Sequence, residues 1–307
     1  MNPATTEFVR QQFTEYYKKT VLLSPESLVQ REWGFVLFNP GATEMRMRRH
    51  LAFPDREALF DYIRNLVPSH AYYSSAYYEK PDAPTMADKG WCGADLIFDL
   101  DADHIVKCAY DQMLSRVKTE TEKLIGMLTD EIGIDKKQIE LVFSGGRGYH
   151  IHIHDLAFRG WGSPERRELV DYICGIGIDP AVLLSESHPV SGGWQGRFRE
   201  TLADYLTWLG TLSEEDATKY LTSLDGIGKD SAAGFLRRRE EMLANLQGSG
   251  RVDPVILRDR VIKSAVQENE GEFKKRLNER AALADEPVTT DTKRLIRMPT
   301  SLHGGAG

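Results

Sequence analysis

The sequence predicts an α+β fold: a mixed sheet flanked by helices, with a helical subdomain at about 195–283. Strand-like apolar runs and amphipathic helical runs follow one another over the first part of the chain. Strand signals then vanish, and charged helical segments such as RRREEMLANLQ (237–247) and EFKKRLNERAAL (272–283) take their place. We therefore expect one domain over residues 1–307 that contains a helical insertion.

The individual elements follow from periodicity and from turn residues. An apolar stripe that includes Phe8 and Phe13 predicts the first helix, and Asp55 before a helical repeat predicts the start of another. Strands are predicted where apolar or alternating runs are bounded by turn residues. The predicted helices are 4–19, the segment after Asp55, 104–131 and 163–173, and the predicted strands are 33–38, 45–53, 71–78, 94–100 and the two arms of 139–154. Short strand-like segments are expected over 285–304.

The composition argues against several classes of protein. With 307 residues, of which 41% are hydrophobic and 28% charged, the chain is long enough for a large core. Its net charge of −7 argues against a uniformly basic coat for nucleic acid, so an anionic partner has to meet local clusters, MRMRRH (45–50) and KRLIR (293–297). Three scattered cysteines favour a reducing compartment. With no signal-like start and no apolar run of about 20 residues, the sequence predicts a cytoplasmic protein with no membrane association.

The stretch GADLIFDLDAD (93–103) places acids at every second position. Side chains two apart on a strand point to the same face, so Asp99 and Asp101 would lie side by side. Two such carboxylates repel each other unless a divalent cation lies between them, and Mg²⁺ combines few protein carboxylates with water and phosphate oxygens. Asp103 lies at or beyond the strand end and is left out of this set. The alternative is a solvated turn at the strand exit, since turns favour Asp.

A glycine turn is predicted within SGGRGYHIHIH (144–154). Its glycines let the backbone turn tightly and present amides to an anion. Arg147 can bind phosphate oxygens in a bidentate manner, and Ser144 adds a hydroxyl. His150, two residues past the turn, is the preferred functional histidine. For the two later histidines of HIHIH, decoration of a strand surface is an open alternative, and no partner cluster nearby completes a metal site.

A third stretch, DEPVTTDTKRLIRMPTSLHGG (285–305), combines Asp285 and Asp291 with a basic segment and His303. Taken alone, a helix-to-strand connection with a solvated basic face explains it equally well. With the other two stretches it completes the inventory for two-metal phosphoryl transfer on a nucleoside triphosphate. The sequence has no G-x-x-x-x-G-K-[ST] run, which argues against a P-loop NTPase.

In this order and at these separations, FDLD (98–101), SGGRGYHIHI (144–153) and DEPVTTDTKRLIRMPTSLHG (285–304) resemble the small catalytic subunit of the archaeal and eukaryotic type of DNA primase. The similarity extends over nearly the whole chain, including REWGF (31–35) and MRRHLAF (47–53). Each motif alone is weak, but the ordered triple is specific. The resemblance implies an α+β primase catalytic core that makes short primers for DNA replication. It also implies nucleoside triphosphates as substrates, a single-stranded DNA template, Mg²⁺ or Mn²⁺ as cofactor, and a large primase subunit as heterodimer partner.

The resemblance also implies roles for individual residues. Asp99, Asp101 and Asp285 match the three acids that bind the catalytic metals. Asp291 is the rival for the third place, but Asp285 precedes Val288 by three residues, as the family's acid precedes a valine. The implied nucleotide-binding residues are Arg49 (with Arg48 close to the same match), Ser144, Arg147, His150, Arg297 and His303. Because metal ligands must converge, EPVTT is expected to form a strand beside the one that carries Asp99, with Asp285 facing the same cleft.

The sequence departs from this family in two ways. Archaeal members usually carry a zinc-binding knuckle just after the Asp-x-Asp, with one His and three Cys. Only His104 and Cys108 match here, so we expect no structural zinc unless another segment completes the site. The family also continues through further strands beyond the point that corresponds to SLHGGAG (301–307), so either the chain is truncated or these strands lie outside this sequence; a shortened core would weaken stability and activity.

Two other functions stay open at this point. A repair-type primase-polymerase would share the acids, although the 285–304 pattern is closer to the replicative primase. A noncatalytic subunit that binds single strands could keep the fold, but such a subunit has no need for clustered acids that face a polyanion.

Overall fold

The computed structural model describes residues 3–38, 46–101, 109–185, 192–248 and 252–304. The chain divides into two compact units. The first comprises Met1–Glu122, Ile134–Val170 and Ala284–Gly307, and the second comprises Lys123–Gly133 and Asp171–Leu283. The insertion expected at about 195–283 falls inside the second unit, whose chain segments begin earlier.

Helices and strands alternate along the first part of the chain, and helices alone follow. The strands are β1 (Trp33–Leu37), β2 (Met47–Leu51), β3 (Pro68–Ser74), β4 (Ala76–Tyr78), β5 (Trp91–Ala94), β6 (Leu96–Asp101), β7 (Ile139–Phe143), β8 (Gly148–Ile153) and β9 (Leu295–Arg297). The helices are α1 (Pro3–Lys19), α2 (Arg56–Leu66), α3 (Tyr110–Gly126), α4 (Leu156–Arg159), α5 (Ser163–Cys174), α6 (Pro180–Ser185), α7 (Gly193–Leu209), α8 (Glu214–Ser223), α9 (Lys229–Gln247), α10 (Pro254–Arg258), α11 (Arg260–Gln267), α12 (Glu272–Asn278) and α13 (Glu286–Thr290).

The strands of the first unit form antiparallel sheets. Within the described ranges, the strand orders are β2-β1-β3-β9, β4-β5 and β6-β8-β7. All the strand pairs of these ranges are antiparallel, so the α+β class is confirmed but the single mixed sheet that we expected is replaced by separate antiparallel sheets. Antiparallel strands need only short connections, which suits a chain with several turns between successive strands.

An aromatic core lies on one face of the β2-β1-β3-β9 sheet. Trp33 and Phe35 of β1 stack with ring centroids 6.3 Å apart, and Phe53 meets both rings edge-on. Helix α2 covers this core with Leu59 and Ile63. The helix begins as predicted, because the Asp55 carboxylate accepts a 2.8 Å hydrogen bond from the Ala58 amide.

The second unit is built from helices in its described part. Leu202, Tyr205 and Phe273 lie among the buried residues of its core. The predicted helical segment 237–247 is the last part of α9, whereas the second charged segment, 272–283, is helical only as far as Asn278.

The structure corrects three element predictions. EPVTT is the short helix α13, not a strand, because Pro287 occupies an initial helix position and the three residues that follow it pack into the interior. AYYSSAYY is divided between β3 and β4. The long helix predicted over 104–131 begins, within the described residues, at Tyr110 and ends in a π-helical turn, Met127–Glu131.

Candidate active site

The β6-β8-β7 sheet has one apolar face and one polar face. Leu96, Phe98 and Leu100 of β6 are fully buried on the apolar face. On the other face, the antiparallel register places Asp99 opposite His150. Residues directly opposite each other share a face, so acids and histidines collect together. The period of two in both motifs therefore produces one polar surface.

Asp99 and Asp101 are half-buried at the end of β6, as the sequence predicted for two carboxylates on one strand face. The register pairs Asp101 with Gly148, and the Asp99 Oδ1 atom lies 3.5 Å from the His150 Nε2 atom. The first and second sequence stretches thus meet at these residues.

Asp285 joins this strand end from the third stretch. Its backbone amide donates a 3.0 Å hydrogen bond to the carbonyl oxygen of Asp99. Asp285 is the residue before α13, yet its carboxylate does not cap that helix. The side chain is therefore available for a role outside the helix start.

Asp291, the rival for the third acid, lies at the other end of α13. Its Oδ1 atom accepts a 2.9 Å hydrogen bond from the Lys293 amide, which makes it a turn-forming residue on the surface. This contrast favours Asp285 over Asp291 as the acid that works with Asp99.

The two acids of β6 fit a magnesium or manganese ion. Within the residues that the structure describes, no three His, Cys, Asp or Glu side chains gather into a ready-made metal cage. Mg²⁺ does not require one, because it is commonly held by one or two carboxylates together with water and substrate phosphates. His104 and Cys108 lie outside the described residues, so the expected lack of structural zinc stays a prediction.

The glycine turn is closed by Ser144 and Gly148. The Ser144 amide donates to the Gly148 carbonyl at 2.9 Å, and the Gly148 amide donates to the Ser144 hydroxyl at 3.1 Å. Gly145 has a φ of 79°, a conformation that favours glycine. A Cβ atom on Gly145 would lie 3.9 Å from the His303 Cβ atom, so the turn meets the third stretch here. Arg147 is part of the same turn.

Arg297 is the most unusual cation of the site. Its Nε and Nη1 atoms are buried and have no hydrogen-bond partner among the described residues. The guanidinium lies over the Tyr72 ring, 5.7 Å from the centroid, and burial lowers its pKa. A buried cation without hydrogen bonds is costly, so this position suits an anionic ligand that supplies them.

His70 is a neighbour that the sequence reasoning missed. Its ring centroid lies 4.7 Å from that of His303, edge to face. Burial, with the nearby His303 and Arg297, lowers the pKa of His70 to about 4, and burial also lowers the pKa of His303. Both imidazoles are therefore neutral near pH 7 and can donate hydrogen bonds without adding charge. The alternation of His70 and Tyr72 on β3 was the available signal.

Arg49 is held by a buried carboxylate. Its Nε atom donates a 3.0 Å hydrogen bond to Glu32 Oε1, and the His50 amide donates to the same oxygen at 3.2 Å. Arg49 lies on β2 and Arg297 on β9, which are the two outer strands in the order β2-β1-β3-β9. The strands that carry these two arginines are therefore about 14 Å apart, since neighbouring strands are spaced by roughly 4.8 Å.

A buried charge network surrounds Asp95, directly before β6. Arg31 is fully buried and binds the Asp95 carboxylate at 2.6 Å, while Tyr77 donates its hydroxyl at 2.5 Å. Burial raises the pKa of Asp95, but the imidazole of His154, 3.6 Å away, and the charge of Arg31 outweigh it and bring the pKa to about 2. Sequence reasoning did not identify this network, because its members come from distant parts of the chain.

The histidines of β8 differ in charge along the strand. The carboxylates of Asp95, 3.6 Å away, and of Glu140, hydrogen-bonded at 3.1 Å, raise the pKa of His154 to about 9, so it is cationic near pH 7. Burial lowers the pKa of His152 to about 4 and that of His150 to about 3, so both are neutral. His152 is fully buried, and the alternative of surface decoration is wrong for it.

Comparisons with known proteins agree with this geometry. The family model described as DNA primase small subunit matches residues 98–307. The chain is 77% identical to the DNA primase small subunit PriS of Methanoregula boonei, 54% to that of Methanosphaerula palustris and 37% to that of Methanosarcina mazei. Each match covers all of this chain and 80–81% of the relative. None of the described helices is long and apolar enough to cross a membrane. This chain belongs to the DNA primase small subunit family.

Proposed function

We propose that this chain, as the catalytic subunit of a DNA primase, makes short primers by two-metal nucleotidyl transfer at Asp99, Asp101 and Asp285. The family is that of DNA-directed primases, which are nucleotidyltransferases of DNA replication. The substrates are nucleoside triphosphates and the template is single-stranded DNA. The partner is a large primase subunit. We further propose that residues 1–307 act as one catalytic domain with a helical insertion at about 195–283.

The hydrogen bond from the Asp285 amide to the Asp99 carbonyl carries this proposal. It joins an acid from the third stretch to the strand end that holds the other two acids. Divalent ions bound there, Mg²⁺ or Mn²⁺, would supply the Lewis acidity that lowers the pKa of the primer 3′-hydroxyl and screens the triphosphate. The acids of this chain hold the reacting groups in line, and their negative charge keeps the site specific for cation-bound nucleotides.

The triphosphate is proposed to bind between the glycine turn and β9. Ser144, Arg147 and His150 offer donors from the turn and the strand after it, and Arg297 and His303 offer donors from the opposite side. The two segments lie close together, since a Cβ atom added to Gly145 would be 3.9 Å from the His303 Cβ atom, and this supports the arrangement. Arg297 supports it further, because a phosphate oxygen would satisfy its buried guanidinium atoms. Charge that develops on the phosphates during transfer is stabilised by these donors.

Arg49 is proposed to contact the nucleotide away from the triphosphate. Arg49 lies on β2, at the opposite edge of the sheet from β9, which carries Arg297. The buried Glu32 carboxylate fixes the Arg49 side chain before any ligand arrives, which reduces the entropy lost on binding.

A primer-synthesis assay tests the proposal. Purified chain, alone and with its large subunit, is given single-stranded template, nucleoside triphosphates and Mg²⁺ or Mn²⁺. We expect primers from the wild type and from Asp61→Asn, an exposed acid on α2 that serves as the matched control. We expect a loss of more than about 100-fold for Asp101→Asn, since even outer partners of metal ligands cost 10–100-fold when removed.

The same assay separates the alternatives. Near-normal synthesis by Asp101→Asn would remove the metal-site assignment. Extension of supplied primers on end-paired duplexes, without new primers on single strands, would favour a repair-type primase-polymerase. Template binding without synthesis under any condition would favour a noncatalytic single-strand-binding subunit.

A further inference from the structure

Two buried histidine nitrogens on β8 lack hydrogen-bond partners in the part of the chain that the structure describes. They are Nδ1 of His150 and Nε2 of His152, on rings whose centroids are 6.1 Å apart. A buried polar atom that makes no hydrogen bond costs stability, so such atoms call for an explanation. The phosphate-binding role proposed for His150 uses neither of these two atoms.

The proton position on His152 follows from Tyr73. The Tyr73 hydroxyl lies 3.4 Å from the His152 Nδ1 atom, and both side chains are fully buried. Burial raises the pKa of Tyr73, so the phenol keeps its proton and can donate it in a hydrogen bond. A neutral imidazole has one donor and one acceptor nitrogen. If Nδ1 of His152 accepts from Tyr73, its Nε2 carries the proton and is a buried donor.

The proton position on His150 follows from Asp99. The His150 Nε2 atom lies 3.5 Å from the Asp99 Oδ1 atom. A proton on Nε2 points a donor at this carboxylate and leaves Nδ1 as an acceptor. His152 thus offers a buried donor next to the buried acceptor of His150. Within the described residues these two nitrogens make no direct hydrogen bond, but one water that makes two hydrogen bonds of about 2.9 Å can link them.

We propose that Tyr73 and His152 are positioning residues for His150. A hydrogen-bond chain from the Tyr73 hydroxyl through His152 and one water to the His150 Nδ1 atom holds His150 in the Nε2–H tautomer. In that tautomer the single Nε2–H group of His150 points towards Asp99 in the free protein and is the donor that the incoming triphosphate would meet. The tautomer of a functional histidine is commonly set by the hydrogen bond of its other nitrogen. This inference rests on the proposed function, because it concerns how His150 meets the nucleotide.

The first test reads the tautomers directly. Long-range ¹H–¹⁵N spectra of the full chain with labelled histidine distinguish a protonated ring nitrogen from an unprotonated one. We expect both His150 and His152 to be protonated at Nε2 and unprotonated at Nδ1. A His150 ring that carries its proton on Nδ1 would overturn the proposal.

The second test removes the Tyr73 hydroxyl, the first donor of the hydrogen-bond chain. Tyr73→Phe keeps the ring but no longer fixes Nδ1 of His152 as an acceptor, so His152 can lose its Nε2 proton and the share of His150 in the Nε2–H tautomer should fall. It should raise KM for the nucleoside triphosphate about fivefold with little change in kcat, the effect of one net hydrogen bond. Tyr78→Phe is the matched control, because the Tyr78 hydroxyl is also buried but has no hydrogen-bond partner among the described residues. A Tyr73→Phe variant with the KM and the His150 tautomer of the wild type would contradict the proposed hydrogen-bond chain.

His152 itself supplies a rescue test. His152→Gln keeps an amide donor near the Nε2 position and should have a KM close to that of the wild type. His152→Leu has no donor there and should have a raised KM. Equal KM values for the Gln and Leu variants would also contradict the proposed hydrogen-bond chain. If the wild type makes no primers, the proposed function fails, while the tautomer measurement still decides the hydrogen-bond chain.

Discussion

The amide of Asp285 donates a 3.0 Å hydrogen bond to the carbonyl of Asp99, although the two residues come from the last and the first of the three chain segments of the first unit. The bond fixes the start of α13 against the end of β6. Asp285 therefore reaches its place through the backbone, and its carboxylate is not needed for this attachment. A change to the Asp285 side chain can thus alter chemistry without altering the local fold.

The first prediction compares Asp285→Asn with Asp291→Asn. We expect the Asp285 variant to lose more than about 100-fold in primer synthesis, because it removes a charged metal ligand. The Asp291 variant should stay within a few-fold of the wild type, since Asn can still accept the hydrogen bond from the Lys293 amide. Primer yield at equal protein and metal concentration is the measurement. The opposite ranking would make Asp291 the third acid and leave the mechanism in place.

The second prediction concerns the glycine turn. A Cβ atom on Gly148 would collide with the backbone carbonyl of Leu100, whereas one on Gly146 would meet nothing within 4 Å. Gly148→Ala should therefore force β6 and β8 apart at Asp101 and lower both the melting temperature and the rate of synthesis. Gly146→Ala should leave both unchanged. Calorimetry and the primer assay check this pair, and equal behaviour of the two variants would show that the strands do not approach so closely.

The third prediction is that Arg297 does not stabilise the free protein but strengthens the binding of nucleoside triphosphate. Arg297→Met removes a half-buried cation whose Nε and Nη1 atoms are buried without a hydrogen-bond partner in the described ranges, so the free protein should be as stable as the wild type or more stable. The same change should raise KM for nucleoside triphosphate about 10- to 100-fold, as expected for a charged hydrogen bond worth about 1.5–3 kcal/mol.

Thermal unfolding with and without nucleotide measures both effects of the Arg297 change. Arg56→Met, on the exposed start of α2, is the matched control. An Arg297 variant that is strongly destabilised without nucleotide would indicate that the guanidinium has a structural partner instead.

The fourth prediction concerns stability against pH. The pKa of His154 is raised to about 9 in the folded protein, so its stabilisation is complete below its ordinary value of 6.5 and is lost as the pH rises through 9. The pKa of Asp95 is lowered to about 2, so its stabilisation is present above the ordinary value of 3.8 and is lost as the pH falls towards 2.

Denaturant unfolding across this range measures the pH effect. The free energy of unfolding should fall by about 3 kcal/mol between pH 6.5 and 9.5, and His154→Gln should flatten this slope. A wild-type profile that is level up to pH 9.5 would show that His154 is not held as a cation.

Local patterns were enough to predict the main features of the site. The period of two placed Asp99 and Asp101 on one strand face, and the glycines predicted the turn before His150. These features depend on neighbouring residues alone, which is why sequence reasoning reaches them. The roles of these residues in catalysis stay predictions until they are tested by substitution.

Other features depend on contacts that a single sequence does not display. The β-branched run in EPVTT favours a strand, but Pro287 and tertiary packing of Val288 produce a helix. Asp before Glu-Pro is a helix-start signal that could have been used. Arg31 and Asp95 come from different strands, and nothing local to either residue predicts their pairing.

The Arg31–Asp95 pair also governs the alignment of β6. Arg31 donates to the carbonyls of Ser74 and Ser75 as well as to Asp95, so it ties the start of β6 to the neighbouring sheet. A slip of β6 by one residue would turn Asp99 and Asp101 to the apolar face and would also pull the Asp95 carboxylate away from the buried Arg31 guanidinium. Misaligned strands are thereby disfavoured at the end of β6 that lies away from Asp99 and Asp101, so the positions of these two acids are already set when the polypeptide folds.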